Sequence, residues 1–257
     1  MSSIYYVLII IAFIISPLVI GAILRHGLNK AFIQGTESNS KNMEAGALLA
    51  RRLFLQGNKI ELIVEPDLSN GASYYMPMEN TIYIGKVVDT SKCMAAIAEC
   101  YHELGHADIQ NEMNAKQSMA FYQGIINRRR AIPLLSLLGW ASALMGSLFI
   151  QSNSDMGCCL LIIGITFIAC VLHMQNKQVK NEREASDRAI QHLISEGFTN
   201  SEIQEAQSFL DTALNTYKLE MYRNAVKYIV IVLLVIVLLL FCYSLARNGS
   251  DNKEQKV

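Results

Sequence analysis

Four long runs of apolar residues constrain this 257-residue chain more than any other feature of its sequence. They cover residues 4–24, 131–150, 156–174 and 228–246. Each run is close to the roughly 20 residues that a helix needs to cross the hydrocarbon core of a bilayer. No basic segment precedes the first run, which is also too long for a signal peptide, so it predicts a retained anchor. The runs therefore predict four transmembrane helices, with the second and third joined as a hairpin.

The basic residues predict how these helices are oriented. Lysines and arginines follow the first and third runs and precede the second and fourth, whereas the hairpin link 151–155 has none. The positive-inside rule then places residues 25–130 and 175–227 in the cytoplasm, in a multi-pass protein of the inner (cytoplasmic) membrane. Residues 247–257 are predicted to be a disordered tail. The alternative for the second and third runs is a buried helical hairpin of a soluble protein.

Composition excludes some classes of function. The 22 basic and 22 acidic residues give a formal net charge of zero, so nothing indicates nucleic-acid binding. The six cysteines form no C-x-x-C pair, so neither a disulfide framework nor a cysteine zinc site is expected. Between the first and second runs, strand-favouring residues at 60–64 and 81–84 predict a small sheet of two strands.

The sequence H-E-L-G-H at residues 102–106 carries the clearest chemical signal. Residues four apart share a face of a helix, so the imidazoles of His102 and His106 can bind one metal ion. Glu103 would then lie beside the open coordination position, where a base for a water molecule is needed. The pattern predicts zinc-dependent hydrolysis, most often of a peptide bond. The alternative is two surface histidines on an amphipathic helix.

Two histidines leave a catalytic zinc site incomplete, because such sites usually have three protein ligands and a water. A third histidine at the usual spacing is absent, since Ile109 and Glu112 occupy the last positions of the pattern H-E-x-x-H-x-x-G-x-x-H. The candidates for the third ligand are His26, Asp108, His173, Glu182, Glu184, Asp187 and His192. Spacing alone does not choose between Glu182 and Glu184.

The arrangement resembles the neutral zinc metallopeptidase family of bacterial integral membrane proteins, over nearly the whole chain. More distantly, it is similar to the membrane gluzincins, which include the CAAX proteases and the heat-shock membrane proteases. The family pattern has H-E-x-G-H-A, two spans and then E-F-D-A-S-R-R-A, matched here by residues 102–107 and 182–189. The first glutamate of the second motif is a zinc ligand in the related gluzincins. The resemblance therefore implies Glu182 as the third ligand.

Two segments depart from the family pattern. The family has D-H-Y-D-P before its second strand, whereas residues 73–77 read S-Y-Y-M-P, so only the tyrosine and the proline persist. Asp108 is an apparent one-residue insertion after the H-E-L-G-H-A segment. The expected zinc ligands are all present, so these departures do not indicate an inactive enzyme.

We therefore expect a mainly α, multi-pass membrane protein with about four transmembrane helices and a small α+β gluzincin-like cytoplasmic metallopeptidase region. His102, His106 and Glu182 would bind zinc, and Glu103 would act as the general base. The expected partners are the lipid bilayer and a peptide or protein substrate, such as a membrane protein undergoing quality control or processing. The alternatives are a zinc-stabilised membrane scaffold or pseudo-protease without turnover, an intramembrane site-2-type protease, and an ordinary multi-span protein whose histidines are coincidental.

The supporting residues are less well determined by the sequence. An acceptor beyond the ligands usually orients each metal-bound imidazole, and the oxyanion of the reaction needs a further donor. The candidates for the first role are Glu99, Asp108 and Asp187. The candidates for the second role are Tyr75, Arg183 and Tyr217.

Overall fold

The computed structural model describes residues 19–31, 39–57, 59–68, 72–150 and 153–226. The predicted fourth span, the predicted tail and most of the first span lie outside these residues. The described chain is mainly helical and contains one small sheet. Its helices are α1 (19–31), α2 (Ala45–Gln56), α3 (Lys86–Thr90), α4 (Met94–Asn111), α5 (Ala115–Phe149), α6 (Ser154–Ser195) and α7 (200–226). Its strands are β1 (Glu61–Glu65), β2 (Ser73–Met76) and β3 (Thr81–Gly85).

The sheet has three strands in the order β1-β3-β2. Strand β1 pairs in parallel with β3, and β2 pairs antiparallel with β3 on the other side. The two strands predicted from the sequence are present to within one residue, whereas β2 was not predicted. Strand β2 has only four residues, ending at Met76 before Pro77, and so short a stretch does not establish a period of two. The prediction of a strand pair was therefore wrong by one strand, and β2 lies at an edge of the sheet.

The chain divides into two compact units. One unit is Val19–Ile126 with Lys177–Leu219. Its core surrounds α4, in which 13 of 18 residues are buried. Ile82 and Ile84 of β3 and Leu48 and Leu49 of α2 belong to this core, each at most 2% exposed. The face of the sheet that carries these isoleucines is therefore the buried one.

The described part of the other unit comprises residues 127–150, 153–176 and 220–226. Within it, α5 and α6 approach each other closely at two pairs of glycines. A Cβ atom added to Gly146 would lie 2.8 Å from the carbonyl oxygen of Gly157, and one added to Gly164 would lie 2.9 Å from that of Gly139. Small residues that let two backbones approach are typical of helix packing in membranes.

Helices α5 and α6 are both long and apolar enough to cross a membrane, and no other described helix meets that criterion. Each extends well beyond its predicted span. Helix α6 continues without a break for 42 residues, from the apolar run 156–174 into a charged segment that contains residues 182–189. The spans at 131–150 and 156–174 remain predictions. The five cysteines among the described residues are free.

Candidate metal centre

Helix α4 carries His102, Glu103 and His106 in the centre of its unit. The helix is not amphipathic with an open face, because Ala95, Ala98, Leu104 and Ala107 on different sides of it are all buried. The side chains of His102 and His106 are still 13% and 24% exposed. The alternative of two surface histidines on an amphipathic helix is therefore wrong, and the histidines lie where solvent can still reach them.

The close approach of α4 and α6 depends on Gly105. A Cβ atom at this position would lie 2.4 Å from the carbonyl oxygen of Ala185, a contact that side chains do not make. Ala185 and Ala189 of α6 are fully buried, so small residues form both sides of this crossing. Because Glu182 precedes Ala185 by one helical turn, the crossing carries its carboxylate to the two imidazoles.

The three side chains meet at one oxygen atom. Glu182 Oε2 lies 3.3 Å from His102 Nε2 and 3.4 Å from His106 Nε2. Ligand atoms about 2.0–2.1 Å from a tetrahedral zinc ion lie about 3.3–3.4 Å from one another. Charge-assisted N–H···O bonds are shorter, at about 2.7–2.9 Å. The spacing of this group therefore fits a shared metal ion better than direct ion pairs, and two imidazoles with one carboxylate suit zinc.

The charges in this group favour one another in the metal-free protein. Burial by itself lowers the pKa of His102, but the hydrogen bond to Glu182 and the charges of Glu103 and Glu99 outweigh it and raise the pKa to about 9. Burial by itself raises the pKa of Glu182, but the bonds from His102 and His106 lower it to about 2. A carboxylate with so low a pKa is ionised at neutral pH, as a metal ligand must be.

Ser186 fixes the ring orientation of His102. Its Oγ donates to the carbonyl oxygen of Glu182 at 2.9 Å and lies 3.2 Å from His102 Nδ1. A hydroxyl has a single hydrogen to donate, so Oγ must accept from Nδ1–H. The neutral imidazole then has its lone pair on Nε2, the atom that faces Glu182 and His106. Ser186 was not predicted from the sequence. Its position four residues after Glu182 indicates an orienting role only when Glu182 is known to be a ligand and both residues lie on one continuous helix.

Glu103 lies at the boundary between α4 and β2. Glu103 is only 7% exposed, and its Oε2 accepts a hydrogen bond from the backbone N–H of Tyr75 at 2.7 Å. Among the described residues, only this one of its two carboxylate oxygens has a hydrogen bond. The backbone of the edge strand therefore orients the carboxylate and leaves Oε1 for another partner.

The other candidate ligands lie apart from the three that meet. Asp108 accepts a 2.5 Å hydrogen bond from His192 Nε2, so neither is directed at the histidine pair. Glu184 forms an ion pair with Arg188 at 3.2 Å and is 54% exposed. The remaining three candidates are exposed: His26, His173 and Asp187.

Three of the supporting residues expected from the sequence are also placed differently. Glu99 accepts a hydrogen bond from Ser73 rather than from an imidazole, and the structure gives the orienting role to Ser186. The hydroxyl of Tyr75 donates to Asn80, and Arg183 is exposed. Tyr75 instead reaches the site through its backbone N–H.

Comparisons with known proteins agree with this geometry. The family model described as "Putative neutral zinc metallopeptidase" matches residues 5–240. The chain is 26% identical over 175 residues to "Putative membrane protease YugP" of Bacillus subtilis (strain 168), an alignment that covers 67% of this chain and 72% of the relative. No solved structure matches the chain. Because the family model matches most of the chain, the protein belongs to the neutral zinc metallopeptidase family.

Proposed function

We propose that this protein is a zinc endopeptidase of the gluzincin type, with His102, His106 and Glu182 as its zinc ligands. The observation that carries the proposal is the meeting of two Nε2 atoms at one carboxylate oxygen, at 3.3 and 3.4 Å. Three protein ligands also leave a coordination position for chemistry, whereas structural zinc sites usually have four. Zinc bound here would supply a Lewis acid that polarises the scissile carbonyl and makes water more acidic.

Glu103 is the residue that moves the proton. Its Oε2 is held by the N–H of Tyr75, so Oε1 can accept a proton from the attacking water and deliver it to the leaving nitrogen. A residue that only supported a scaffold would not need a carboxylate beside the ligands. In the scaffold alternative Glu103 would only accept the N–H of Tyr75, which the neutral amide oxygen of a glutamine could do as well.

The substrate is proposed to bind along β2. In an antiparallel pair, every second residue of a strand directs its backbone N–H and C=O at the partner strand. Ala72 does so, because its carbonyl oxygen accepts the N–H of Gly85. Residues 73 and 75 therefore direct their backbone groups away from β3. The bond from Tyr75 N–H to Glu103 agrees with that direction and occupies this N–H, so a bound peptide would pair with the other outward-facing backbone groups of residues 73 and 75. An extended peptide that adds to this edge as a strand would place its carbonyl groups near the histidine pair.

The site is proposed to face the cytoplasm in a multi-pass inner-membrane protein. Only 22% and 17% of the apolar windows of α5 and α6 are buried, whereas the core helix of a soluble protein would be mostly buried. The glycine pairs between these helices and the name of the Bacillus subtilis relative, which is that of a membrane protease, support the same location. Basic residues at 128–130 and after residue 176 favour the cytoplasmic side for the site. A membrane-associated protein substrate suits that position.

The test is Glu103→Gln in full-length protein reconstituted in liposomes, with Glu184→Gln as the matched control on an exposed carboxylate. An unfolded, fluorescently labelled protein serves as substrate, and zinc is measured per chain. We expect the Glu103 variant to retain zinc and to lose about 10²–10⁴-fold in kcat, the range for a general base. Wild-type protein that holds zinc but gives no cleavage that depends on Glu103 would support the scaffold alternative instead.

A further inference from the structure

Helix α4 carries a second carboxylate, Glu99, that the proposed reaction does not use. It precedes Glu103 by one helical turn, so both side chains lie on the same side of α4. Its Oε1 accepts a hydrogen bond from Ser73 Oγ at 2.7 Å. Ser73 belongs to β2, the strand that also contacts Glu103 through Tyr75. Two carboxylates of α4 thus bind the same edge strand.

The spacing of these two contacts is matched. Glu99 and Glu103 are four residues apart, which is about 6.0 Å along a helix. Ser73 and Tyr75 are two residues apart, which is about 6.7 Å along a strand. The earlier carboxylate, Glu99, contacts the earlier strand residue, Ser73, and Glu103 contacts Tyr75. Strand β2 and helix α4 therefore run in the same direction, with these two contacts in step. A one-residue slip of β2 would turn both of its contacts away from α4.

The position of β2 matters because Glu103 has no other hydrogen-bond partner among the described residues. If the bond to Ser73 were lost, the contact between Glu103 and Tyr75 would be the remaining hydrogen bond between α4 and β2 in that part of the chain. Any movement of the strand would then move the carboxylate with it. A base is effective only while it stays within hydrogen-bond reach of its proton.

We propose that Glu99 is a positioning residue, which through Ser73 fixes the edge strand β2 in the register that orients Glu103 and receives the substrate. This inference rests on the proposed function. It assigns Glu99 no contact with the substrate or with the metal. Its effect on the reaction passes through Ser73, the backbone of β2 and the N–H of Tyr75.

The test uses the full-length protein in liposomes and the variants Ser73→Ala and Glu99→Gln. Ser73→Ala removes the hydrogen bond, whereas glutamine keeps an oxygen that can accept it. The matched control is Tyr74→Phe. Tyr74 lies on the opposite face of β2, and the substitution removes its hydrogen bond to Glu65 of β1. Zinc per chain, kcat and KM are measured, together with hydrogen exchange of the Tyr75 amide.

For Ser73→Ala we expect faster exchange at Tyr75 and a loss of about tenfold to a hundredfold in kcat, as for a misplacement of about 1 Å. Zinc content should be unchanged, and kcat should fall more than KM rises. Tyr74→Phe should stay close to wild type, and Glu99→Gln, which keeps the acceptor for Ser73 Oγ, should leave the exchange at Tyr75 unchanged. Unchanged exchange and kcat in Ser73→Ala would overturn the inference, and so would loss of its zinc, because the bond would then support the metal group.

Hydrogen exchange separates this inference from the proposed function. If the wild-type protein shows no peptidase activity, the proposed function fails, while the exchange at Tyr75 still reports whether Glu99 and Ser73 hold the strand. Faster exchange only in Ser73→Ala would support the positioning role. Equal exchange in Ser73→Ala and Tyr74→Phe would overturn it.

Discussion

Two histidine–carboxylate groups lie between α4 and α6, and they differ in what they can bind. In the first group, His102 and His106 face Glu182 at 3.3 and 3.4 Å. In the second, His192 bonds directly to Asp108 at 2.5 Å. The first distances fit ligands of one metal ion, whereas the second is that of a short hydrogen bond.

The partner of the second ring nitrogen explains this difference. His102 Nδ1 donates to Ser186, which leaves Nε2 with its lone pair. His192 Nδ1 lies 3.0 Å from Arg52 Nη2, and an arginine can only donate. Nδ1 of His192 is therefore the acceptor of this bond, and its Nε2 donates to Asp108. Imidazole and carboxylate groups on the same two helices thus form a candidate metal centre in one place and a link between helices in the other.

The sharpest test of this comparison is removal of the shared oxygen. Glu182→Ala should reduce zinc from about one ion per chain to nearly none, a larger loss than the 10–100-fold that an outer partner costs. Glu184→Ala, two residues away, is the control and should retain zinc because its carboxylate pairs with Arg188. Zinc per chain in purified protein is the measurement. Equal zinc in both variants would contradict the ligand assignment.

A smaller effect is expected at the residue that orients His102. Ser186→Ala should weaken zinc binding by about 10–100-fold, since the ring loses its acceptor at Nδ1. Ser195→Ala is the control, because that serine also lies on α6 and donates to a carbonyl oxygen, but has no contact with His102. Competition with a chelator measures the affinity. Equal affinity for zinc in the two variants would exclude the orienting role.

The pH dependence of zinc binding should reflect the raised pKa of His102. Its pKa of about 9 in the metal-free protein means that zinc must displace one proton at lower pH. Affinity should therefore rise about tenfold per pH unit up to about pH 9 and then level off. Glu103→Gln removes one of the negative charges that raise this pKa, so the affinity should level off at a lower pH. A flat profile between pH 6 and pH 9 would show that His102 is not the group displaced.

The smallest effect on zinc is expected in the second group. His192→Ala should leave zinc binding unchanged while lowering the free energy of unfolding by about 1–3 kcal/mol, since Asp108 and Arg52 lose a partner. Asp108→Asn keeps an acceptor for His192 Nε2–H and should be milder. Denaturant titration and zinc analysis measure the two quantities. Loss of zinc in His192→Ala would mean that the two groups act as one.

The departure from the family pattern at residue 73 acquires a physical meaning in the structure. Serine stands there instead of the aspartate of the pattern, and Glu99 of α4 brings a carboxylate to within 2.7 Å of its hydroxyl. The sequence alone did not connect these two positions, because 26 residues separate them. Strand β2, which carries Ser73, was itself not predicted, so the contact could not have been foreseen.

The sequence by itself determined which chemical groups lie close together on one helix. His102, Glu103 and His106 are set by the period of an α-helix, which is a local property, and the long apolar runs are equally local. The choice between Glu182 and Glu184 was open on spacing alone and came from the family resemblance. Only the tertiary structure decided how Glu182 reaches the histidines.

That decision was made by packing across a long separation in sequence. Gly105 allows α6 to approach α4, and this crossing selects the face of α6 that carries Glu182 and Ser186. The neighbouring Glu184 is turned to solvent by the same rotation. Such a choice depends on the close fit of two backbone segments that lie 80 residues apart in the sequence, and no local pattern of residues contains that information.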